Sequence, residues 1–349
     1  MKISKPYCLK LFVLAIALNL GSSVFAQDLH FSQFFNSPLT TNPANTGFIP
    51  DGDYRLGINY RNQWSSIMTV PYKTMSVFGD AQILKDKLET GWVGIGGVIL
   101  KDVAGSGSLS STKVYGSVAY HQMLGYASLL SLGFNVGIAN KQINTSNLKF
   151  PDQFDGRFFD NKLPTSVFLD RNNISYLDMQ VGMNYAYFPT DNIYVNTGFS
   201  VHHVNKPTES FFTADSNSNY SNRIPRRSIG FLNASIKLND QVIINPSVYY
   251  TNQANVSELV GGLTAHYNLS GDGQYQLIGG AYYRHKEAII PMVGLGYNDY
   301  TFTFSYDATI SSLKNYNNSR GAFEFSLIKQ GVLNPNGRRI TPCPSFKTY

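Results

Sequence analysis

Between residues 301 and 310 the chain alternates strictly. Phe302, Phe304, Tyr306, Ala308 and Ile310 fall on one face, and Thr301, Thr303, Ser305, Asp307 and Thr309 on the other. Successive strand side chains point to opposite faces, so this stretch predicts a strand with one apolar and one polar surface. The pattern recurs. Tyr54, Leu56, Ile58, Tyr60 and Trp64 oppose Asp53, Arg55, Asn59, Arg61 and Gln63, with Asn62 out of step. Leu130, Leu132, Phe134, Val136 and Ile138 oppose Ser131, Gly133, Asn135, Gly137 and Lys141. Leu177 to Tyr187 and Leu259 to Leu269 repeat it.

About fourteen such strands follow, near 53–64, 71–83, 91–101, 108–122, 127–141, 176–188, 191–205, 226–238, 241–253, 256–269, 274–285, 287–297, 300–310 and 320–330. Each is long enough to cross a bilayer at a tilt. The connections alternate in length. Leu124-Gly125-Tyr126, Pro189-Thr190, Asn239-Asp240, 270–273 and Asn298-Asp299 are short and rich in turn residues, whereas 142–175 and 206–225 are long. Transmembrane barrels have short periplasmic turns and longer outer loops, so residue 53 starts on the periplasmic side. The 142–175 loop carries Phe150, Phe154, Asp155, Arg157, Phe158, Phe159 and Asp160, and long loops of that kind are functional.

Composition selects the solvent. Tyr and Phe number 23 each, Gly 30, and charged residues are only 14%. No run of 18 apolar residues follows the N-terminus, which excludes a helical membrane protein. The polar face is Asn, Ser, Thr, Gln and Gly with few charges, as in a wet, enclosed lumen; a soluble sandwich would carry more Lys and Glu there. The reading is an all-β, up-and-down antiparallel transmembrane barrel. Arg55, Arg61, Asp80, Asp178, Glu258, Asp307 and Glu324 fall on the lumen face and are expected to pair across it.

The N-terminus fits export to an outer membrane. Lys2, Lys5 and Lys10 precede an apolar run from Leu11 to Leu18, and Val24 and Ala26 suit cleavage after Ala26. Three of the 28 basic residues lie in that signal, leaving 25 against 22 acidic, which is no nucleic-acid footprint. Cys343 is then the single cysteine, so no internal disulfide forms. The domain plan is a signal at 1–26, an extension at 27–52 that is periplasmic or plugs the lumen, a barrel at 53–330 and a periplasmic tail at 331–349.

Enzymatic readings find little. His202 and His203 are adjacent on a strand, so their rings point to opposite faces and share no metal simply; His121, His202 and His266 are lumen candidates in a scattered arrangement. No nucleophile stands out for a Ser-His-Asp set. Gly94 to Gly97 and Gly261-Gly262 sit mid-strand and read as close packing or kinks, not phosphate loops. No catalytic residue, metal or cofactor is assigned.

The extension carries a signature. Phe31-Ser32-Gln33, then Pro38-Leu39, then Asn42-Pro43-Ala44 with Gly47, followed by Tyr60-Arg61-Asn62-Gln63-Trp64, Pro71, Thr74 and Asp80, resembles the N-terminal pattern of the PorP/SprF family. The resemblance implies an outer-membrane barrel of the type IX secretion system. Such a barrel binds a secreted protein's C-terminal sorting domain, often that of a large adhesin used in gliding, or the ring lipoproteins beneath the membrane. It implies that the outer loops hold a partner and that Phe31, Ser32, Gln33, Asn42, Pro43, Ala44, Gly47, Tyr60, Arg61, Gln63 and Trp64 serve a partner or a plug. The alternative is a general or substrate-specific porin with a water-filled path. A fatty-acid-type transporter would want an apolar lumen, against the polar inner face.

Overall fold

The computed structural model describes residues 30–333, apart from 51, 86, 106–108, 146–147, 161, 168, 213–221 and 272. The expected export signal, Cys343 and nearly all of the tail lie outside the described residues.

Fourteen antiparallel strands form one closed barrel in sequence order. They are β1 (Tyr54–Gln63), β2 (Tyr72–Ile83), β3 (Gly91–Ala104), β4 (Leu109–Met123), β5 (Ser128–Gln142), β6 (Asn173–Thr190), β7 (Ile193–His202), β8 (Arg227–Lys237), β9 (Val242–Gln253), β10 (Val256–Asn268), β11 (Tyr275–Arg284), β12 (Ala288–Tyr297), β13 (Tyr300–Thr309) and β14 (Arg320–Gly331). The seam joins β1 to β14, from Tyr54 opposite Gly331 to Gln63 opposite Ala322. Closure leaves no strand edge, as a sheet in hydrocarbon requires.

The alternation works as expected. Leu56, Ile58, Val77, Ile99, Val114, Leu132, Ile138, Leu263 and Phe302 face outward and are exposed, while Asn59, Ser76, Asn135 and Ser305 between or beside them are buried. Both ends of the barrel strand set, Tyr54 and Gly331, lie at the short-turn end. There Tyr120, Tyr126, Tyr185, Tyr187, Tyr267, Tyr275, Tyr297 and Tyr300 form an exposed aromatic belt, with Tyr275 and Tyr297 ring centroids 5.0 Å apart. Aromatic girdles mark the water interface of such barrels.

Several strand limits differ from the sequence pattern. β3 runs on to Ala104, and β6 continues through Pro189 to Thr190. β7 stops at His202, because His203 takes φ of 55° and turns the chain. Residues 203–205 then fold back over β6, with Val204 N–H donating to Met179 O and Asn205 Nδ2 to Leu177 O. The two histidines are therefore not displayed on opposite faces. Both are buried, and His203 Nδ1 sits 2.9 Å from Asp178 Oδ1.

The interior corrects another expectation, that of a wet lumen. Three apolar clusters interrupt the polar inner face: one around Phe34, Ile229, Tyr249 and Tyr282, one around Phe48, Trp92 and Leu129, and one around Phe31, Leu39, Phe78 and Tyr115. Inward side chains in the middle of the wall, such as Asn59, Asn135, Ser200, Ile290 and Glu324, are shielded from solvent. In an open pore they would be wet.

Candidate functional site

Residues 30–50 lie inside the ring. Their local shape is a string of short turns: a 3-10 turn at Phe34–Asn36, the single-turn helix α1 at Pro38–Thr41, and a second 3-10 turn at Pro43–Asn45. Prolines open both later turns, where the missing N–H costs nothing. Asn42 caps the last one, its Oδ1 accepting from Ala44 N–H at 2.9 Å. Gly47 follows at φ of 67°, a backbone state that favours glycine.

Short turns leave many backbone groups unpaired, and the barrel wall supplies the partners. Glu324 accepts from Ser32 N–H and Gln33 N–H, each at 2.9 Å. Ser32 Oγ donates to Asp307, and Arg284 Nη2 donates to Ser32 Oγ at 2.6 Å. Gln33 Nε2 donates to Ser305 Oγ at 3.0 Å, and Asn36 Nδ2 to Thr303 Oγ1 at 2.9 Å. On the far side Asp80 accepts from Gly47 N–H at 2.7 Å, and His121 Nε2 donates to Thr46 O at 2.8 Å. Trp92 Nε1 donates to Gly47 O at 2.9 Å, Asn42 Nδ2 to Met183 O at 2.9 Å, and Ser200 Oγ to Thr41 O at 2.8 Å. The segment is thus held by β13 and β14, by β2 to β4, and by β6 and β7, on opposite sides of the ring.

Charges are arranged in two knots. Arg61 bridges Asp307 at 2.9 Å and Glu324 at 3.3 Å, and Arg284 bridges Asp307 at 2.9 Å and Glu258 at 3.0 Å. His30 Nε2 lies 3.3 Å from Glu258. Arg55 pairs with Asp80 at 2.7 Å and also donates to Asn45 O at 3.1 Å. Buried charges survive only when paired and hydrogen-bonded; removing one partner costs about 3–5 kcal/mol.

Glycines bring the wall close. At Gly94, Gly133 and Gly182 a Cβ would run into Thr46 O, into the Pro43–Ala44 peptide and into Asn42 Oδ1. Aromatics complete the contact. Phe34 stacks on Tyr249 at 4.9 Å, Phe35 on Tyr282 at 5.3 Å, and Phe48 and Trp92 on His121 at 5.9 and 4.8 Å. A cavity of about 110 Å³ remains beside the segment, lined by Phe34, Phe35, Phe48, Arg55, Asn196 and Phe231 among others.

The described parts of the long loops lie at the end of the barrel opposite Tyr54 and Gly331. Phe154 and Phe159 make an isolated antiparallel bridge with rings 5.0 Å apart, and Phe158 at the tip is 68% exposed. Asp155 accepts from the backbone N–H groups of Phe158 and Arg157, which hold its carboxyl below the ordinary value; Asp152 is held low likewise, chiefly by Ser166 N–H. Glu209 pairs with Lys141 and accepts from Tyr176 Oη at 3.0 Å, tying the 203–226 connection to β5 and β6.

A sequence profile described as "Type IX secretion system membrane protein PorP/SprF" matches residues 23–328. The chain belongs to the PorP/SprF family. Its family is one of type IX secretion membrane proteins, and its closed barrel is of the outer-membrane kind. Solved structures share that fold. The Pseudomonas putida toluene transporter TodX aligns over 86% of this chain and 95% of its own, at 12% identity and a TM-score of 0.51. A TodX monoaromatic hydrocarbon channel lacking S2 aligns over 84% and 93%, at 10% identity and a TM-score of 0.52. At such identity the likeness is one of fold. No curated protein matches the chain.

The PorP/SprF signature residues divide. Phe31, Ser32, Gln33, Asn42, Pro43, Ala44 and Gly47 are all buried in the segment, and Arg61, Arg55, Asp80, Glu258, Asp307 and Glu324 surround it. Asp178 is inward too, accepting from Tyr115 Oη at 2.6 Å as well as meeting His203. Tyr60 is elsewhere, on the outer wall 6.2 Å from Phe323; Gln63 ends β1, and Trp64 leaves the strand at φ of 59° to pack on Tyr72. Sequence reasoning missed Arg284, Trp92 and Ser117, whose hydroxyl bonds that of Thr46; it put Asn59 on the polar face without foreseeing its bond to Asn36 O. Arg284 has the inward parity of Ile278 and Tyr282, which would have identified it. Among the described residues no group of three His, Cys, Asp or Glu is placed to hold a metal.

Proposed function

We propose that this chain serves type IX secretion as an occluded barrel that binds protein, not as an open conduit. The observation that carries this is the packed interior: residues 30–50 bond to the wall on opposite sides of the ring and leave mid-wall side chains dry. A segment seated across the ring in this way obstructs a wide water-filled path, which weighs against the porin alternative. The partner is a secreted protein presenting a C-terminal sorting domain, met by the outer loops 142–175 and 206–225. The exposed Phe154, Phe158 and Phe159 favour the loops, because protein interfaces are centred on aromatic anchors. A second reading places ring lipoproteins at the short-turn end, where the family membership allows them.

Mild-detergent affinity capture of the tagged protein from its native outer membrane, with mass spectrometry, tests the reading. Recovery of a sorting-domain protein, lost when Phe154, Phe158 and Phe159 are changed to Ser, supports it. Ring lipoproteins recovered instead would favour the second reading. A barrel recovered alone, with steady ion conductance in a planar bilayer, would overturn both.

A further inference from the structure

The wall carries charge of one sign on its outer face. Among the described residues no Asp or Glu of a strand takes an outward position; Asp80, Asp102, Asp178, Glu258, Asp307 and Glu324 all follow the inward parity. Outward positions instead carry Lys73 and Lys101, near the loop end of β2 and β3, and Lys329 near the other end. Lys73 lies opposite Val103 and Lys101 opposite Met75, so the two lysines occupy one diagonal of the same face. Diagonal neighbours sit about 7–8 Å apart at the backbone, within reach of two long side chains converging on one group.

Both lysines are exposed, and among the described residues neither has a hydrogen bond or ion pair. Lys85, Lys141 and Lys237, by contrast, each meet a carboxylate. Like charges on neighbouring strands repel, so an anion from outside the chain, placed between the two, would relieve that repulsion. The surroundings define that anion. Toward mid-membrane the same face continues as Met75, Val77, Ile95, Ile99 and Val114, all exposed. The Thr112 position, opposite Lys101 on β4, adds a hydroxyl. Two cations above an aliphatic wall complement a phosphate that is covalently attached to acyl chains.

We propose that the outer rim of β2 and β3 binds a phosphorylated, multiply acylated glycolipid of the outer leaflet, with its phosphate between Lys73 and Lys101 and its chains along Met75, Val77 and Ile99. Each lysine near an anionic lipid surface contributes an increment that compounds to roughly thirtyfold for two.

Native mass spectrometry of the detergent-solubilised full chain, titrated with bis-phosphorylated lipid A, tests this. One lipid should bind at saturation. Lys73→Gln with Lys101→Gln should weaken it roughly thirtyfold, and Lys73→Arg with Lys101→Arg should retain it. Dephosphorylated lipid A should bind as weakly to the wild type as lipid A does to the glutamine variant, and inorganic phosphate should not compete. Lys286→Gln, in an exposed turn at the same end, should change nothing. Gel mobility with and without heating confirms that each variant is a folded barrel. Equal binding by the glutamine variant, or equal binding of the dephosphorylated lipid, overturns the proposal.

Discussion

The two carboxylate oxygens of Glu324 each accept one backbone N–H, from Gln33 and Ser32, both at 2.9 Å. A residue on the last strand thus clasps the backbone of the segment that precedes the first. Arg61, 3.3 Å away, supplies its counter-charge. Glu324→Gln keeps the shape but turns one acceptor into a donor facing an N–H and leaves Arg61 partly uncompensated. The expected loss is about 3 kcal/mol or more. The measurement is the unfolding midpoint in a denaturant series, followed by gel mobility; an unchanged midpoint would remove Glu324 from the account.

Glycine substitutions separate the two faces of the wall. Gly182→Ala drives a methyl into Asn42 and should destabilise the barrel by about 1–3 kcal/mol. Gly279→Ala points to open space on the outer face and should be neutral or slightly stabilising. The same unfolding series compares them, and equal effects would mean that the segment does not press on β6.

Trp92 reports on the segment optically. The chain has two tryptophans, so Trp64→Phe leaves Trp92 as the only emitter. Trp92 is buried, stacked on His121 and bonded to Gly47 O. Its emission should be blue-shifted in the native barrel and shift to the red when residues 30–50 are removed. Spectra that stay alike would show that Trp92 is shielded by the wall alone.

The Phe154–Phe159 turn should loosen in acid. Asp155 has its carboxyl pKa lowered by the Phe158 and Arg157 N–H groups. A depressed carboxylate contributes order above its unfolded pKa, near 3.8, and that contribution is lost as pH falls through the lower folded value. Hydrogen exchange at Phe158 should therefore be slow at pH 5 and, corrected for intrinsic rates, faster near pH 3. Asp155→Asn should lose the pH dependence, and a flat profile in the native chain would refute the turn's dependence on this carboxylate.

Much of this was legible in the sequence because a β-wall has only two faces. Parity alone places Asp307 and Glu324 inward and Phe302 outward, and the turn residues at 298–299 fix where the strands end. Parity also explains why the PorP/SprF signature splits: Tyr60 shares the outward phase of Ile58, so it cannot reach the segment that Arg61 touches. What alternation cannot show is which inward groups meet. Ser32 finds Asp307 and Arg284 only because the ring closes and curves their strands toward one axis. The filling of the lumen by the leading segment was hidden for the same reason. Asn, Ser and Thr look like residues for water until a segment with unpaired backbone groups arrives to take its place.

The seam between β1 and β14 sets an order of events. The clasp of Glu324 on residues 32 and 33 spans almost the whole chain, so it cannot form until the final strand has emerged and docked. Until then the N–H groups of Ser32 and Gln33 lack this acceptor, although Asn42, Thr46 and Gly47 have partners on strands that emerge earlier. Closing the ring and tying down the front of the leader become one step, and a truncated chain lacking β14 would hold the leader by its later residues while its beginning stayed untied.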